Sequence, residues 1–146
     1  MTGAELIMIG FGLAVQALLG AWHLYGLRLI KKIRPVGDEH PHLGVLAAFW
    51  GLGILHFSEI VLGAAAYALA LTIPAAGNIS QVEGSQAAEL LYFSGTTFTT
   101  LGLTHQQASG PIRLLVMLQS LGGFMLITWS ATFVYTIWGE LFRREG

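Results

Sequence analysis

Three long apolar stretches, separated by short polar segments, dominate the chain. They cover residues 6–28, 43–71 and 112–141. A helix rises about 1.5 Å per residue and the hydrocarbon core of a bilayer is about 30 Å thick, so each stretch can span a membrane as a helix. The pattern therefore predicts three transmembrane helices. The second and third stretches exceed the thickness of the core, so tilted or projecting helices are expected there.

A segment rich in short polar side chains lies between the second and third stretches. Residues 92–105 read YFSGTTFTTLGLTH. An unsatisfied backbone group in hydrocarbon costs several kcal/mol, so a polar segment at membrane depth needs a reason, and lining a water-filled path is one. We predict that residues 85–99 form a half-length re-entrant helix. Residues 100–104 should then turn back as an extended segment whose carbonyls face a path for cations, with oxygens supplied by four chains.

Composition places the chain in a membrane. Hydrophobic residues make up 54% of the 146 residues, charged residues make up 10%, and the mean hydropathy is +0.66. An average soluble domain carries about 25% charged residues. The net charge of -1, with scattered basic residues, gives no footprint for nucleic acid. The chain has no cysteine, which excludes disulfides and thiolate metal sites.

The distribution of basic residues predicts the orientation. With three spans and a re-entrant segment before the last one, six of the seven basic residues fall on one side: Arg28, Lys31, Lys32, Arg34, Arg143 and Arg144. The positive-inside rule makes that side cytoplasmic. We therefore expect a multi-pass protein of the inner (plasma) membrane, with the N-terminus outside and the C-terminus in the cytoplasm. The acidic residue Glu5 ahead of the first stretch argues against a signal peptide, whose n-region is basic.

The order of these elements resembles a known family. A span, a re-entrant helix, the motif TTFTTLG and a final span are similar to the pore module of tetrameric potassium-channel-like cation channels, and most closely to the small bacterial two-helix ion channels. The filter of these channels reads T-V-G-Y-G. A threonine-rich pore helix precedes this filter, and Thr99 and Thr100 match the paired threonines of the pattern. Leu101 takes the place of the valine, and Gly102 takes that of the first filter glycine.

The resemblance implies an all-α homotetramer with three transmembrane helices, a re-entrant pore helix and a filter loop in each chain. Residues 1–34 would add an N-terminal transmembrane helix to a pore module at residues 35–146. That module would comprise an outer helix (43–73), a pore helix (85–99), a filter (100–104) and an inner helix (111–141). Thr100, Leu101 and Gly102 would hold the permeant K⁺ or Na⁺ ion through a hydroxyl and backbone carbonyls. No other cofactor and no enzymatic activity are expected, and the partners would be further copies of the chain and the lipid bilayer.

The sequence departs from the family filter beyond Gly102. Leu103 stands in place of the tyrosine, Thr104 in place of the second glycine and His105 in place of an aspartate. Glycine adopts left-handed conformations without the penalty of roughly 1 to 2 kcal/mol that other residues meet, so Thr104 is not expected to keep the outer geometry. The pattern T-L-G-L-T is similar to the T-I-G-E-T filter of cyclic-nucleotide-gated channels. We therefore expect a weakly selective passive channel for potassium and sodium, with a potassium-selective channel as the alternative.

Ionisable residues near this filter and inside the spans are candidates for a second role. His56 and Glu59 lie three positions apart on one face of the second helix, where they can form a hydrogen-bonded brace or a sensor of protons or metal ions. His23, near the inner end of the first span, is expected at the membrane interface. His105 at the outer mouth can make the pore sensitive to pH or divalent metals, or can be a neutral mouth residue.

Two adjacent glycines, Gly122 and Gly123, interrupt the last apolar stretch. They can act as a gating hinge, or they can let two helices approach closely, as small residues do in membranes. The sequence leaves both interpretations open, because glycine weakens a helix and removes bulk at the same time.

Two other classes of membrane protein fit parts of the sequence. A haem or metal-binding protein would use His23 and His56 on adjacent helices, although the two residues are expected at different depths. A non-conducting subunit would carry a vestigial filter. Ion flux distinguishes a channel from a non-conducting subunit, and an absorbance spectrum without a Soret band would exclude haem.

Overall fold

A computed structural model describes residues 1–33, 41–80, 85–102 and 104–142, and these residues are mostly helical. Their helices are α1 (Gly3–Ile33), α2 (Pro41–Ala70), α3 (Gln86–Phe98) and α4 (Ile112–Phe142). Two short strands, β1 (Asn78–Ile79) and β2 (Ala108–Ser109), precede and follow α3. The helices α1, α2 and α4 are long and apolar enough to cross a membrane. The predicted all-α membrane fold with three spans is therefore confirmed.

α2 ends at Ala70, before the predicted end at residue 73. Thr72 and Ile73 donate their main-chain N–H groups to the carbonyls of Leu69 and Ala70, at 3.1 and 3.0 Å. Bonds of this kind, to the carbonyl three residues back, tighten the last turn of a helix. Pro74 then disfavours the helical conformation for the residue before it. These local signals set the end of the helix although the apolar pattern continues beyond it.

The helices pack through three apolar clusters that follow one another along α1. In each cluster α1 supplies one or two side chains, and the other helices supply the rest. The clusters are Met8 with Tyr67, Phe93, Ile112 and Leu115; Leu19 with Phe98 and Leu126; and Leu27 and Ile30 with Leu52, Leu55 and Ile137. α1 therefore packs against both α2 and α4, and α3 packs between α2 and α4.

α1 and α2 approach each other closely. A Cβ atom at Gly26 of α1 would overlap the side chain of Leu55. Farther along the interface, Trp22 donates its indole N–H to the hydroxyl of Ser58 at 2.9 Å. In a membrane the hydrophobic effect does not drive helices together, so small residues and interhelical hydrogen bonds supply much of the association. The contact between α1 and α2 has both.

The loops before and after α3 are joined into one unit, which we call the rim (residues 76–80 and 107–112). β1 and β2 pair antiparallel, with Asn78 opposite Ser109 and Ile79 opposite Ala108. Ser80 donates its main-chain N–H to the carbonyl of Gln107 at 2.9 Å. The sequence analysis assigned no strand to either segment, because a two-residue strand has no periodicity to detect. The rim fixes both chain ends of the re-entrant segment relative to each other.

We predict that Gly26→Leu weakens the packing of α1 on α2, because the new side chain would overlap Leu55. Overpacking of a close contact costs about 1 to 3 kcal/mol. The midpoint of thermal unfolding in detergent, followed by tryptophan fluorescence, should fall. Gly10→Leu is the matched control on the same helix, because nothing lies within 4 Å of a Cβ atom built there. Equal midpoints for the two variants would contradict the contact.

Candidate functional site

α3 is too short to cross a membrane and ends inside the protein. Its 13 residues extend about 20 Å, whereas the hydrocarbon core is about 30 Å thick. Ser94 of α3 donates its hydroxyl to the carbonyl of Ile60 in α2 at 2.7 Å. Gln119 of α4 donates its amide to the same hydroxyl, also at 2.7 Å. These contacts fix α3 to the helices on both sides of it.

The turn after α3 satisfies carbonyl groups at the end of the helix. Thr100 donates its N–H to the carbonyl of Thr97, and Leu101 donates its N–H to that of Thr96, both at 3.1 Å. These are the two bonds of a Schellman motif, which usually has glycine in the left-handed conformation at the position that Thr100 occupies. Thr100 has a φ of 59°. For a β-branched residue this conformation costs roughly 1 to 3 kcal/mol, and such strain is concentrated at functional segments.

After α3, the backbone alternates between left-handed and other conformations at successive residues. Thr100 and Gly102 have φ values of 59° and 64°, whereas the intervening Leu101 does not have a positive φ. Alternation of this kind turns successive carbonyls toward one side. The bonds of the turn use carbonyls of residues 95–97, so they leave the carbonyls of Thr100 and Leu101 available. The arrangement can offer a row of oxygens to a cation.

Beyond Gly102, the loop makes one further main-chain hydrogen bond. Thr104 donates its main-chain N–H to the carbonyl of Gly102, two residues back, at 3.0 Å. Leu103, one of the predicted filter residues, lies outside the described residues.

Gln106 links the end of this loop to the start of α3. Its side chain is buried, and its amide donates to the carboxylate of Glu89 at 2.9 Å. Its main-chain N–H donates to the hydroxyl of Thr104 at 3.1 Å. His105, between Thr104 and Gln106, is exposed. The structure therefore holds Thr104 in a set of polar contacts within the chain and leaves His105 accessible.

A cavity of about 460 Å³ opens beside the loop. The residues that line it include Thr97 and Thr100 on the side of α3 and the loop, and Met117 and Ser120 on the side of α4. The cavity thus combines hydroxyl groups with apolar surface. It is large and polar enough to hold water next to residues 100–102.

The two glycines of α4 are both points of close approach. A Cβ atom at Gly123 would overlap the carbonyl oxygen of Phe98, the last residue of α3. A Cβ atom at Gly122 would overlap the amide of Gln16, which donates to the carbonyl of Leu118 at 2.7 Å. α4 continues as one helix through both positions. The geometry supports close packing as the role of these glycines, and the gating hinge stays a prediction.

Three ionisable residues, His23, His56 and Glu59, form a buried group that we call the His–Glu cluster. The Nδ1 atoms of His23 and His56 lie 2.8 Å from the two carboxylate oxygens of Glu59. The side chains of His23 and Glu59 are completely buried, and that of His56 is 21% exposed. The expectations of an interfacial His23 and of different depths for His23 and His56 are wrong. Antiparallel packing of α1 on α2 brings the two ring centroids to 5.5 Å.

The His–Glu cluster can hold a metal ion, and its geometry does not suit haem. One ligand atom from each residue lies within 4.8 Å of the others. Bis-histidine haem ligation needs imidazoles on opposite faces of the macrocycle, whereas here both Nδ1 atoms point to one carboxylate. The bonds of 2.8 Å have the geometry of the predicted brace between His56 and Glu59, now extended to a third residue. Its role as a sensor stays a prediction.

Two glutamines in the spans make structural contacts that the sequence analysis did not assign. Gln16 bonds to α4, and Gln119 bonds to Ser94 of α3. Each is a strongly polar residue in an apolar stretch, and such residues usually face a partner inside a membrane. A polar residue in an apolar stretch can thus be recognised in the sequence. Its partner cannot be predicted in the same way, because the partners here are a main-chain carbonyl and a serine hydroxyl on other helices.

Comparison with known proteins assigns a family to more than half of the chain. The family model described as an ion channel matches residues 54–139. The matched region includes α3, the loop after it and most of α4, and it begins after α1. No curated protein and no solved structure matches the chain significantly.

We predict that Gly122→Ala lowers the midpoint of thermal unfolding and that Gln16→Ala suppresses most of this effect. The added methyl group would overlap the Gln16 amide, and Gln16→Ala removes that amide. Gln16→Ala alone should cost about 1 kcal/mol, because it removes one hydrogen bond. A double-mutant cycle should give a coupling energy of about 0.5 to 3 kcal/mol. Additive effects would contradict the contact between Gln16 and Gly122.

Proposed function

We propose, from the premise that this chain belongs to the family of potassium-channel-like ion channels, that it forms a homotetramer that conducts monovalent cations. Transport is passive and crosses the plasma membrane. The filter consists of residues 99–104 of four chains around a shared axis, and permeant K⁺ or Na⁺ ions occupy it. The hydroxyl and carbonyl of Thr100 and the carbonyls of Leu101 and Gly102 coordinate the ion.

The alternation of the φ angle over residues 100–102, positive at Thr100 and Gly102 but not at Leu101, is the observation that carries this proposal. Thr100 at φ 59° ends α3 in a Schellman motif, and Gly102 at φ 64° makes the backbone left-handed again two residues later. A row of carbonyls that replaces the hydration shell of a cation does need such a backbone. One chain supplies only a few oxygens, so four copies are required to surround an ion.

The end of α3 adds favourable electrostatics. The helix ends at Phe98, directly before the loop. The C-terminus of a helix carries a partial charge of about -0.5. In the proposed tetramer four such ends converge near the axis, where they stabilise a cation beside the filter.

An exposed apolar face on α4 supports the tetramer. Met117, Leu121, Phe124 and Met125 are each more than half exposed in the single chain. Their spacing of three and four residues places them on one side of the helix. Leu101 in the loop is 64% exposed. In a tetramer these side chains would meet neighbouring chains or line the path.

Weak selectivity follows from the outer half of the filter. Thr104 is bonded to Gly102 and to Gln106 of its own chain, where the family has a second glycine. Leu103 lacks the hydroxyl that the tyrosine of the family offers as a brace. We infer that the site at Thr100 is the best-formed one and that both potassium and sodium pass. A potassium-selective channel is the alternative, in which the Thr100 site alone discriminates.

The proposed orientation has the N-terminus outside and the C-terminus in the cytoplasm. The basic end of α1 includes Lys31, which donates to the carboxylate of Glu140 in α4 at 2.8 Å. This bond supports a common side for the basic residues of α1 and for those that follow α4. By the positive-inside rule that side is cytoplasmic.

Purified protein in liposomes is predicted to carry potassium, and Gly102→Asp is predicted to abolish the flux. Aspartate at a φ of 64° is strained, and its carboxylate would hold a cation in the path. Gly3→Asp is the control, because it adds the same charge at the exposed start of α1. Flux is followed with a potassium-sensitive dye and normalised to ionophore release. A folded wild-type tetramer that carries neither potassium nor sodium would refute conduction and favour a non-conducting subunit.

Bilayer recordings under bi-ionic potassium and sodium conditions are predicted to give a reversal potential near zero. The double variant Leu103→Tyr/Thr104→Gly has the filter T-L-G-Y-G, which differs from the family pattern only at Leu101, and it should move the reversal potential toward the value for a potassium-selective pore. The single variant Thr104→Gly separates the backbone effect from that of the tyrosine. A wild-type reversal potential already at the potassium limit would overturn weak selectivity and support the alternative.

A further inference from the structure

We propose that the His–Glu cluster is a binding site for a divalent transition-metal ion, with Zn²⁺ as the best match. The site lies between α1 and α2 and is separate from the filter. Two imidazole nitrogens and one carboxylate form a ligand set found in zinc sites with an open fourth position. The proposal does not depend on ion conduction, because it concerns metal affinity alone.

The distances within the cluster fit such a site. Zinc binds nitrogen and oxygen ligands at about 2.0 to 2.2 Å, so neighbouring ligand atoms in a tetrahedral site lie about 3.3 Å apart. Each Nδ1 atom is 2.8 Å from a carboxylate oxygen of Glu59, and the ligand atoms lie within 4.8 Å of one another. Binding of an ion therefore requires the distances between ligand atoms to change by about 0.5 to 1.5 Å. His23 on α1 and the two residues on α2 approach it from opposite sides.

The surroundings of His23 provide the second contact that metal-binding histidines usually have. The Ser130 hydroxyl of α4 lies 3.4 Å from Nε2 of His23. When Nε2 carries the proton and donates to Ser130, the lone pair of Nδ1 is free for a metal ion. The ring of Trp129 packs on His23 with a centroid distance of 5.2 Å, and that of Phe98 packs on His56 at 5.7 Å. These rings cover part of the imidazole surface of the cluster.

Charge also favours a cation in this place. Glu59 is fully buried in a span, where an uncompensated carboxylate is costly. Its ion-pair partners among the described residues are the two histidines, which are neutral when they bind metal. A divalent ion with a hydroxide or chloride in the open position makes the whole group neutral. The partial exposure of His56 provides the route of entry.

The donor set selects the class of metal. Imidazole nitrogen suits Zn²⁺ and its neighbours in the first transition row, whereas Mg²⁺ and Ca²⁺ prefer oxygen ligands. The chain has no cysteine to compete for the ion. We therefore expect Zn²⁺, Co²⁺ and Ni²⁺ to bind, and Mg²⁺ and Ca²⁺ to leave the protein unchanged.

The test uses tag-free, full-length protein in detergent, treated with chelator, incubated with Zn²⁺ and desalted. Inductively coupled plasma mass spectrometry should find about one zinc ion per chain, and Zn²⁺ should raise the unfolding midpoint because it binds the folded state. Co²⁺ should give visible absorption bands of an N,O-ligated ion. Wild-type protein that retains no metal and shows no shift would overturn the proposal and leave the cluster a hydrogen-bonded brace.

Matched variants locate the ion. Glu59→Gln and His56→Ala should lose the zinc, whereas His105→Ala, which removes an exposed histidine, should retain it. Ser130→Ala keeps all three ligands and should weaken zinc affinity about 10- to 100-fold. Because Ser130→Ala removes only a hydroxyl group, this variant should fold normally. It therefore tests the site even if the ligand variants misfold. Zinc that persists in folded Glu59→Gln, or is lost in His105→Ala, would place the ion elsewhere and refute the site.

Discussion

The hydrogen-bonding needs of the backbone where α3 stops are the constraint on which the rest of the structure depends. In hydrocarbon, each backbone N–H and C=O group at the end of a helix has to find a hydrogen-bond partner within the protein. The turn at Thr100 and Leu101 satisfies two carbonyls of the last helical turn. Gly123 lets the carbonyl of Phe98 lie against α4. The helix can therefore stop partway across the membrane, and the bonds of the turn leave the carbonyls of Thr100 and Leu101 available.

α1 is part of the same packing unit although the family match begins after it. Gln16 bonds to α4 beside Gly122, Trp22 bonds to Ser58, and His23 bonds to Glu59. These contacts tie α1 to both α2 and α4. Because interhelical hydrogen bonds and close packing hold helices together in lipid, α1 stabilises the helices that position the loop.

Phe98 connects the two sites. Its ring packs on His56 of the His–Glu cluster, and its carbonyl lies against Gly123 at the end of α3. Protein interiors are closely packed, so a shift of the His56 ring is transmitted to the residues it touches. An ion in the cluster would thus hold α1, α2 and the end of α3 in one arrangement. Phe98 therefore touches both the cluster and the helix that precedes the loop.

Length and apolar pattern along the chain were enough to establish three spans, a re-entrant helix and a loop around Gly102, because membrane thickness limits what such stretches can form. The positive φ of a β-branched Thr100, the rim and the end of α2 at Ala70 did not follow from that pattern. The partnership of His23 with Glu59 required the register of α1 on α2, which places residues from distant parts of the chain side by side. Local chemistry along one chain thus defines the elements, whereas contacts between elements depend on how side chains fit in three dimensions.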